Sequence, residues 1–538
     1  MKTIRSYRML AAVLAAIMMI SFLSACGRGG GGNGNQGSKP DNAAQGDNAG
    51  SKDNTGAAGD SGNGEVKELS LFIDAPWYPV KEWKGPVADK ITEKTGVKLK
   101  VTVATDDKQL PLMIASGDLP DLVFTYSNVG RMSDSKLSYP WNELIEKYAP
   151  DFKIDKTRIA IHTMDDGNFY TVRNSFATQE EMKQNKYSIG SDGNPGIAVR
   201  EDILKELGNP PINSLDDFVK VLGMVKKKYP DMVPLIMDKD WLEQYFLQQF
   251  GTGVLLDGWY EQDGKVDYSI RQPKMLEFFK FMNSLYRNGY ILAENFALAN
   301  DQIDDQYATN GKAFAHSHTV ATADTDNIKI KSSGSGSYTF KMLPSALTKD
   351  AKVVSAGLGF AGTFITQKNK DPETSIKFLQ YLASDEGKKL TMFGVEGEHW
   401  TWNNEGHPDL KYNPSDADFV NGNGIKWWYL YNDGVTEGML SYVPGLQKTQ
   451  ALMETKAITV YKPQIGLIQA QPDSEEKTIK TKIDEMVKNE KVRIYLANSE
   501  EEAVANYNSM VKKAEDMGLQ KLVDWANATY NKKKDLFK

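Results

Sequence analysis

The chain has 538 residues, 64 of them Lys or Arg and 71 Asp or Glu, for a formal charge of −7. That acidic balance argues against a nucleic-acid partner, which needs a basic face, and it offers no polybasic patch for anionic lipid. A single cysteine excludes a disulfide framework and a thiolate metal site.

Lys2, Arg5 and Arg8 precede an apolar stretch over residues 9–23, which ends in Leu23-Ser24-Ala25-Cys26. This is the layout of a secretory signal, and its apolar run of about fifteen residues is short of the roughly twenty that span a bilayer. The tetrapeptide resembles the lipobox of bacterial lipoproteins. The resemblance implies a signal over residues 1–25, diacylation of Cys26 and attachment to the outer face of the cell membrane, where two or more acyl chains hold stably. Loss of the three basic residues with the signal leaves the rest at about −10. Residues 26–65 read as the lipidated cysteine and a flexible linker, because the stretch is almost entirely small and polar and cannot offset chain entropy by burial. Asp41, Asp47, Asp53 and Asp60 lack the spacing of a calcium loop. Roughly 470 residues follow, too many for one core and enough for two lobes.

Folded sequence begins near Val66. Leu69-Ser70-Leu71-Phe72-Ile73 reads as a buried strand ending at Asp74. Pro86 suits the first turn of a helix, Val87 and Ile91 share its inner face, and Gly96 stops it. Val97, Leu99, Val101 and Val103 alternate with polar residues as a half-buried strand. Residues 110–115 form a short helix and residues 121–124 a third strand. This order indicates a parallel α/β sheet. Ligands gather at the carboxyl ends of such strands, which are Ala75-Pro76-Trp77-Tyr78 and Thr125-Tyr126-Ser127-Asn128.

A second α/β pattern opens with a strand over residues 196–199. Ser214-Leu215-Asp216-Asp217 starts a helix with a capping box in which Asp stands for Glu, striped by Leu215, Phe218, Val219, Leu222 and Val225, and residues 234–237 form another strand. Asp371-Pro372-Glu373 starts a helix carrying Ile376, Leu379 and Leu382, and Ser384 caps the next. After Ser474 the chain is mostly helical, with Ile479, Ile483, Met486, Val487, Val504, Tyr507, Met510 and Val511 at helical spacing.

Several stretches, taken in order, resemble the family 1 extracellular solute-binding proteins. They are Glu93-Lys94-Thr95-Gly96-Val97, Leu112-Met113-Ile114-Ala115-Ser116-Gly117-Asp118-Leu119-Pro120-Asp121, Ile197-Ala198-Val199-Arg200-Glu201-Asp202-Ile203-Leu204, Asn310-Gly311-Lys312-Ala313-Phe314 and Phe378-Leu379-Gln380-Tyr381-Leu382-Ala383-Ser384-Asp385-Glu386-Gly387. Nearest in character are the long sugar-binding lipoproteins of Gram-positive ABC importers, distant relatives of maltose-binding protein. The resemblance implies a two-lobed, periplasmic-binding-protein-like α/β fold of type 2, with ligand between the lobes. It implies one lobe from residues 66–180 plus about 351–395 and the other from about 181–350 plus 396–538, with crossings near residues 172–197, 351–357 and 394–402. It further implies a monomer without cofactor that captures an oligosaccharide and hands it to the transmembrane subunits of an ABC permease. Long members carry a calcium-loop-like insert after the second-lobe helix. Here that place holds Lys226-Lys227-Lys228-Tyr229-Pro230-Asp231, and one carboxylate among three lysines predicts no calcium.

A sugar presents apolar C–H faces and many hydroxyls, so its site needs flat aromatics beside planar polar groups. The candidates at strand ends and crossings are Trp77, Tyr78, Tyr126, Asp238, Trp241, Trp259, His318, Glu398, His399 and Trp400, with His316 and Trp402 adjacent. Trp427 and Trp428 read as core or lobe packing. His316 and His318 share one face of a strand and suit a metal, but with no cysteine and no clear third ligand none is expected. Arg173 and Arg200 suit an acidic sugar's carboxylate, although a structural ion pair is the simpler role. A peptide ligand on the same fold, or a surface glycoside hydrolase with paired carboxylates, are the alternatives. No P-loop, His-Glu-x-x-His or Gly-x-Ser-x-Gly is present, and no catalysis is expected.

Overall fold

The structure, a computed structural model, describes residues 66–191, 193–239, 241–252, 258–298, 302–471 and 474–534. The signal, Cys26 and the linker lie outside the described residues. In chain order the strands are β1 (Lys67–Asp74), β2 (Val97–Val103), β3 (Leu122–Thr125), β4 (Pro195–Arg200), β5 (Val233–Met237), β6 (Trp259–Gln262), β7 (Lys265–Tyr268), β8 (Ala313–Thr319), β9 (Phe340–Met342), β10 (Val353–Ser355), β11 (Gly362–Ile365), β12 (Trp400–Trp402), β13 (Pro408–Leu410) and β14 (Thr459–Tyr461).

The first sheet has the order β11-β3-β1-β2. β1 runs parallel to β2 and β3, with Leu71 opposite both Val101 and Leu122, and β11 returns antiparallel with Gly362 opposite Thr125. Between β1 and β2 the helix Pro86–Thr95 starts on its proline and ends at Gly96, whose φ of 67° lets its N–H reach the Thr92 carbonyl. The second sheet has the order β5-β8-β4-β9, with β5 parallel to β8 and β4 antiparallel to both of its neighbours. The helix Leu215–Lys228 packs on it through Phe218, Val221, Leu222 and Val225. Ser214 accepts from the Asp217 N–H at 3.1 Å, while the Asp217 carboxylate takes the Asn213 N–H rather than that of Ser214, because the aspartate is one methylene too short to close the box. Lys226 and Lys228 donate to the Asn288 and Glu206 carbonyls.

Two large cores accompany the two sheets. The first gathers Leu71, Ile73, Ile91, Phe124, Trp141, Ile365, Leu379 and Leu382, and it also takes in Trp400, Ile425, Trp428, Tyr431 and Leu440. The second joins Val199, Phe218, Leu235, Phe246, Met282 and Phe314 to Ile483, Tyr495, Met510 and Leu522 of the three C-terminal helices. Residues 396–440, expected with the second lobe, therefore pack with the first sheet. The reason is apolar volume: Trp400 and Trp428 are 1% and 0% exposed, filling space between the first sheet's helices.

Among the described residues the chain passes between the cores at three places. One follows Tyr187 of the first core and reaches Ile189, which packs with Val320, Ala451 and Leu452. A second lies between Ala356, packed on the second core, and Ala361, buried in the first. The third runs through Tyr442, which touches both the first core and the Ile189 cluster, and not through residues 394–402. β10 and β14 pair in parallel as a two-stranded ribbon beside the second passage. There Gly357 and Gly359 have φ of 62° and 84°, and a Cβ on Gly359 would lie 2.3 Å from the Asn174 carbonyl oxygen, so this turn requires glycine.

These passages orient both sheets. β4 leaves the first passage at Pro195, opposite Thr319 of β8, and Ser317 lies opposite Met237 of β5. β11 leaves the second passage at Gly362, opposite Thr125 of β3, and Asp74 of β1 is opposite Thr125 as well. The carboxyl ends of β1, β3, β5 and β8 thus lie on the passage side of their sheets.

Candidate functional site

At the end of β1 the buried Asp74 carboxylate organises the neighbouring loop. Its Oδ2 accepts from Thr125 Oγ1 at 2.7 Å, Ser127 Oγ at 3.1 Å and Asn128 Nδ2 at 2.9 Å. The chain then turns, with the Tyr78 N–H donating to the Ala75 carbonyl at 2.9 Å. That turn leaves Trp77 42% exposed and drives Tyr78 inward to 1%. The Trp77 ring centroid lies 6.0 to 6.4 Å from those of Tyr78, Tyr126, Phe360 and Trp427. Tyr126 and Phe360 stack at 5.2 Å with an interplanar angle of 16°, and Trp427 meets Tyr78 edge-on at 5.2 Å. Trp77, Tyr126, Phe360 and Trp427 form an aromatic wall on the passage side of the first sheet. The Tyr78 hydroxyl and the Trp427 indole N–H behind it are buried without a hydrogen-bond partner. Burial pushes the Tyr78 hydroxyl's pKa well up, so it stays a neutral donor.

The second sheet presents a polar counterpart. Asp238, 2% exposed, directly follows β5, and its Oδ1 accepts the Trp241 N–H at 2.8 Å. His318 Nε2 lies 4.0 Å from Asp238 Oδ2. Asn295 holds this strand end by pairing both backbone groups of Met237, donating to its carbonyl at 2.7 Å and accepting its N–H at 2.9 Å. Deeper in the sheet His316 is buried between Asp326 (Nδ1 to Oδ2, 2.9 Å) and Asp304 (Nε2 to Oδ2, 2.8 Å). Burial opposes a charge there, but the two carboxylates outweigh it and raise the imidazole pKa to about 10.

The structure thus places Trp77 and Tyr126 at strand ends of one sheet and Asp238, Trp241 and His318 at those of the other, whereas Tyr78, 1% exposed, turns into the first core behind Trp77. The remaining candidates lie elsewhere. Trp259, 1% exposed, sits in the second core on the β6–β7 hairpin, edge-on to Tyr268 at 5.3 Å, so it supports the fold and lines no strand end. Trp400 is 1% exposed in the first core, where its indole N–H donates to the Gly394 carbonyl at 2.8 Å. His399 is buried, accepting the Val395 N–H on Nδ1 at 2.9 Å with Nε2 3.2 Å from Asn423 Oδ1, and Glu398 lies exposed beside it. These side chains are occupied in anchoring the β12–β13 hairpin. Arg200 makes an ion pair with Asp202 at 2.5 Å and lies over the Tyr338 ring.

Two wall residues escaped the sequence reading. Phe360 stands directly after Gly357-Leu358-Gly359, and a lone aromatic behind two glycines at a crossing is the signal that marks it. Trp427, read as packing, differs from its neighbour Trp428 in facing the wall, and nothing in the sequence separates the two.

Two α/β lobes joined by three chain passages, with strand ends of both sheets turned to the passages, define a two-lobed binding protein. The bacterial extracellular solute-binding protein family model matches residues 87–395, more than half of the chain, and the chain belongs to that family. No curated protein sequence matches it. Among solved structures the chain is similar to the Streptococcus pneumoniae ABC-transporter substrate-binding protein FusA in complex with kestose (TM-score 0.66, 19% identity, covering 87% of this chain and 100% of that one). It is similar also to the alginate-binding protein AlgQ2 (0.65, 19%, 87% and 98%). A third is the N-glycan transport solute-binding protein NgtS of Streptococcus pneumoniae (0.56, 19%, 86% and 98%). Members of the family bind solutes for transport, and this chain is accordingly a binding protein of the extracellular side.

Proposed function

We propose that the chain is the substrate-binding component of an ABC importer, that its ligand is an oligosaccharide, and that it binds without catalysing. The aromatic wall of Trp77, Tyr126, Phe360 and Trp427 supports this reading most directly. Flat, half-exposed rings match the apolar faces of pyranose and furanose units, while His318, beside Asp238, suits hydroxyls. FusA, AlgQ2 and NgtS carry kestose, alginate and N-glycan in their names, which favours a sugar over a peptide. Lobe closure about the three passages would distinguish the loaded from the empty form for the permease. Residues 1–25 serve as signal, Cys26 as the lipidated anchor and residues 27–65 as tether, and the protein works as a monomer on the outer face of the cell membrane.

The test is a panel of oligosaccharides against the purified protein, followed by tryptophan fluorescence and thermal shift. Binding without turnover raises the melting temperature. Stabilisation by peptides alone overturns the sugar reading, and release of shorter sugars overturns the binder reading. Mass spectrometry of membrane-extracted protein tests the anchor: a diacylated Cys26 at the N-terminus is expected, and Cys26→Ala should release the chain to the medium.

A further inference from the structure

The second lobe contains a cluster that sugar binding does not use. His316 and His318 project from one face of β8, and the helix Ile303–Thr309 lays its first turn, with Asp304 and Asp305, against them. One ligand atom from each of these four residues lies within 4.8 Å of every other. The third and fourth ligands, absent from the sequence around the two histidines, come from this helix.

We propose that Asp304, Asp305, His316 and His318 form a binding site for a divalent transition-metal ion of the zinc class. Two imidazole nitrogens and two carboxylates are the donor set such an ion takes in four-coordinate sites, whereas calcium wants six to eight oxygens. The surrounding shell is also that of a metal site. Asp326 engages His316 Nδ1 at 2.9 Å, which turns Nε2 toward Asp304, and Lys329 positions Asp305 through its Oδ2 at 2.6 Å. A separate observation points to a cation: Asp304 is fully buried, yet its Oδ1 has no hydrogen-bond partner. A buried carboxylate oxygen left unpaired is costly, and a metal ion bound by both oxygens or by Oδ1 alone removes that cost. A purely structural Asp304–His316–Asp326 ion pair accounts for Oδ2 and leaves Oδ1 unanswered. His318 is 29% and Asp305 25% exposed at the side chain, so an ion can reach the site from solvent past these two residues. A bound ion would fix His318 at the edge of the proposed ligand surface. The metal assignment holds whatever the ligand there is.

Equilibrium dialysis of the untagged full chain, carrying Cys26→Ser and stripped with chelator, against chelator-buffered zinc tests the site. One zinc per chain is expected, and cobalt in its place should give the visible d–d absorption of a low-coordinate site. Asp305→Asn and His318→Gln should each weaken zinc binding by more than about tenfold, and the double variant should abolish it. Circular dichroism melting of the variants establishes that they fold, as expected for part-exposed positions. Absence of zinc from the parent chain, equal retention by the folded double variant, or equal competition by calcium each overturns the assignment.

Discussion

Tyr126 and Phe360 stack at 5.2 Å although one directly follows β3 and the other lies in the passage that leads into β11. The stack ties the proposed ligand wall to a segment about which the proposed lobe closure would turn. Phe360→Ala and Trp77→Ala should each weaken oligosaccharide binding by about 1–2 kcal/mol, roughly tenfold. Both side chains are more than a third exposed, so stability should hardly change. Titration calorimetry beside thermal melting separates the two effects, and unaltered affinity in both variants would show that the wall is not the binding surface.

The buried tryptophans should behave in the opposite way. Trp400→Ala removes a large side chain from the first core and should cost about 3–5 kcal/mol of stability. Trp400→Phe should lower the urea midpoint while leaving ligand affinity in the folded protein intact. A selective loss of affinity would place Trp400 back at the site.

Gly359→Ala tests the second passage. The added methyl meets the Asn174 carbonyl at 2.3 Å and the backbone stays at φ 84°, so a destabilisation of about 2 kcal/mol is expected. Gly167, with φ 81° and open space around its Cβ position, is the control and should cost less, about 1 kcal/mol. Equal costs for the two would mean that the passage tolerates the methyl by shifting.

His162 makes stability sensitive to mild acid. Its Nδ1–H donates to the Arg158 carbonyl at 2.7 Å and its Nε2 accepts the Arg173 N–H at 3.3 Å, an arrangement only the neutral ring satisfies. Burial, with Arg173 and Arg158 nearby, lowers its pKa to about 3. The unfolded chain, with the ordinary value near 6.5, binds the proton first as pH falls. Stability from this group is therefore complete above about pH 6.5 and declines toward pH 3, by about 2 kcal/mol between pH 6.5 and 5. Urea unfolding across that interval should show the slope in the wild type, and His162→Gln should flatten it.

Asn295 completes the edge of the second sheet. It substitutes for a neighbouring strand by pairing both backbone groups of Met237, the residue before Asp238. Asn295→Ala leaves two buried polar groups unpaired and should cost about 2–4 kcal/mol, together with a loss of ligand affinity as Asp238 loses its fixed position. Asn295→Asp, whose carboxylate has no proton to give the Met237 carbonyl and is buried without a counter-charge, should restore neither.

Much of this architecture was legible from local pattern. The alternation of Val97, Leu99, Val101 and Val103, the Pro86 and Gly96 bounds and the stripe of Phe218, Leu222 and Val225 each state a period that burial then obeys. Strand ends follow from strand order, so Trp77, Tyr126 and Asp238 were within reach. What local pattern does not carry is which of two cores a large side chain joins. Trp259 looks like a binding residue because it sits in a Gly-rich turn and Trp400 because it lies at an expected crossing, yet the first is buried with the C-terminal helices and the second with the first sheet's core. Asp304 and Asp305 escaped for the same reason, since only the packing of their helix on β8 brings them to His316 and His318.

The two-core arrangement also dictates when each lobe can fold. The first sheet is complete only after β11 pairs with β3, and its core still needs Trp428 and Leu440. The second awaits helices near the C-terminus, where Asn527 accepts the Val266 N–H across 261 residues of sequence. A chain emerging N-terminus first therefore holds no finished first lobe until Leu440 is made, and no finished second lobe until the C-terminal helices are made. Contacts so distant in sequence form slowly, which keeps the polypeptide open through the interval in which an exported protein must remain threadable.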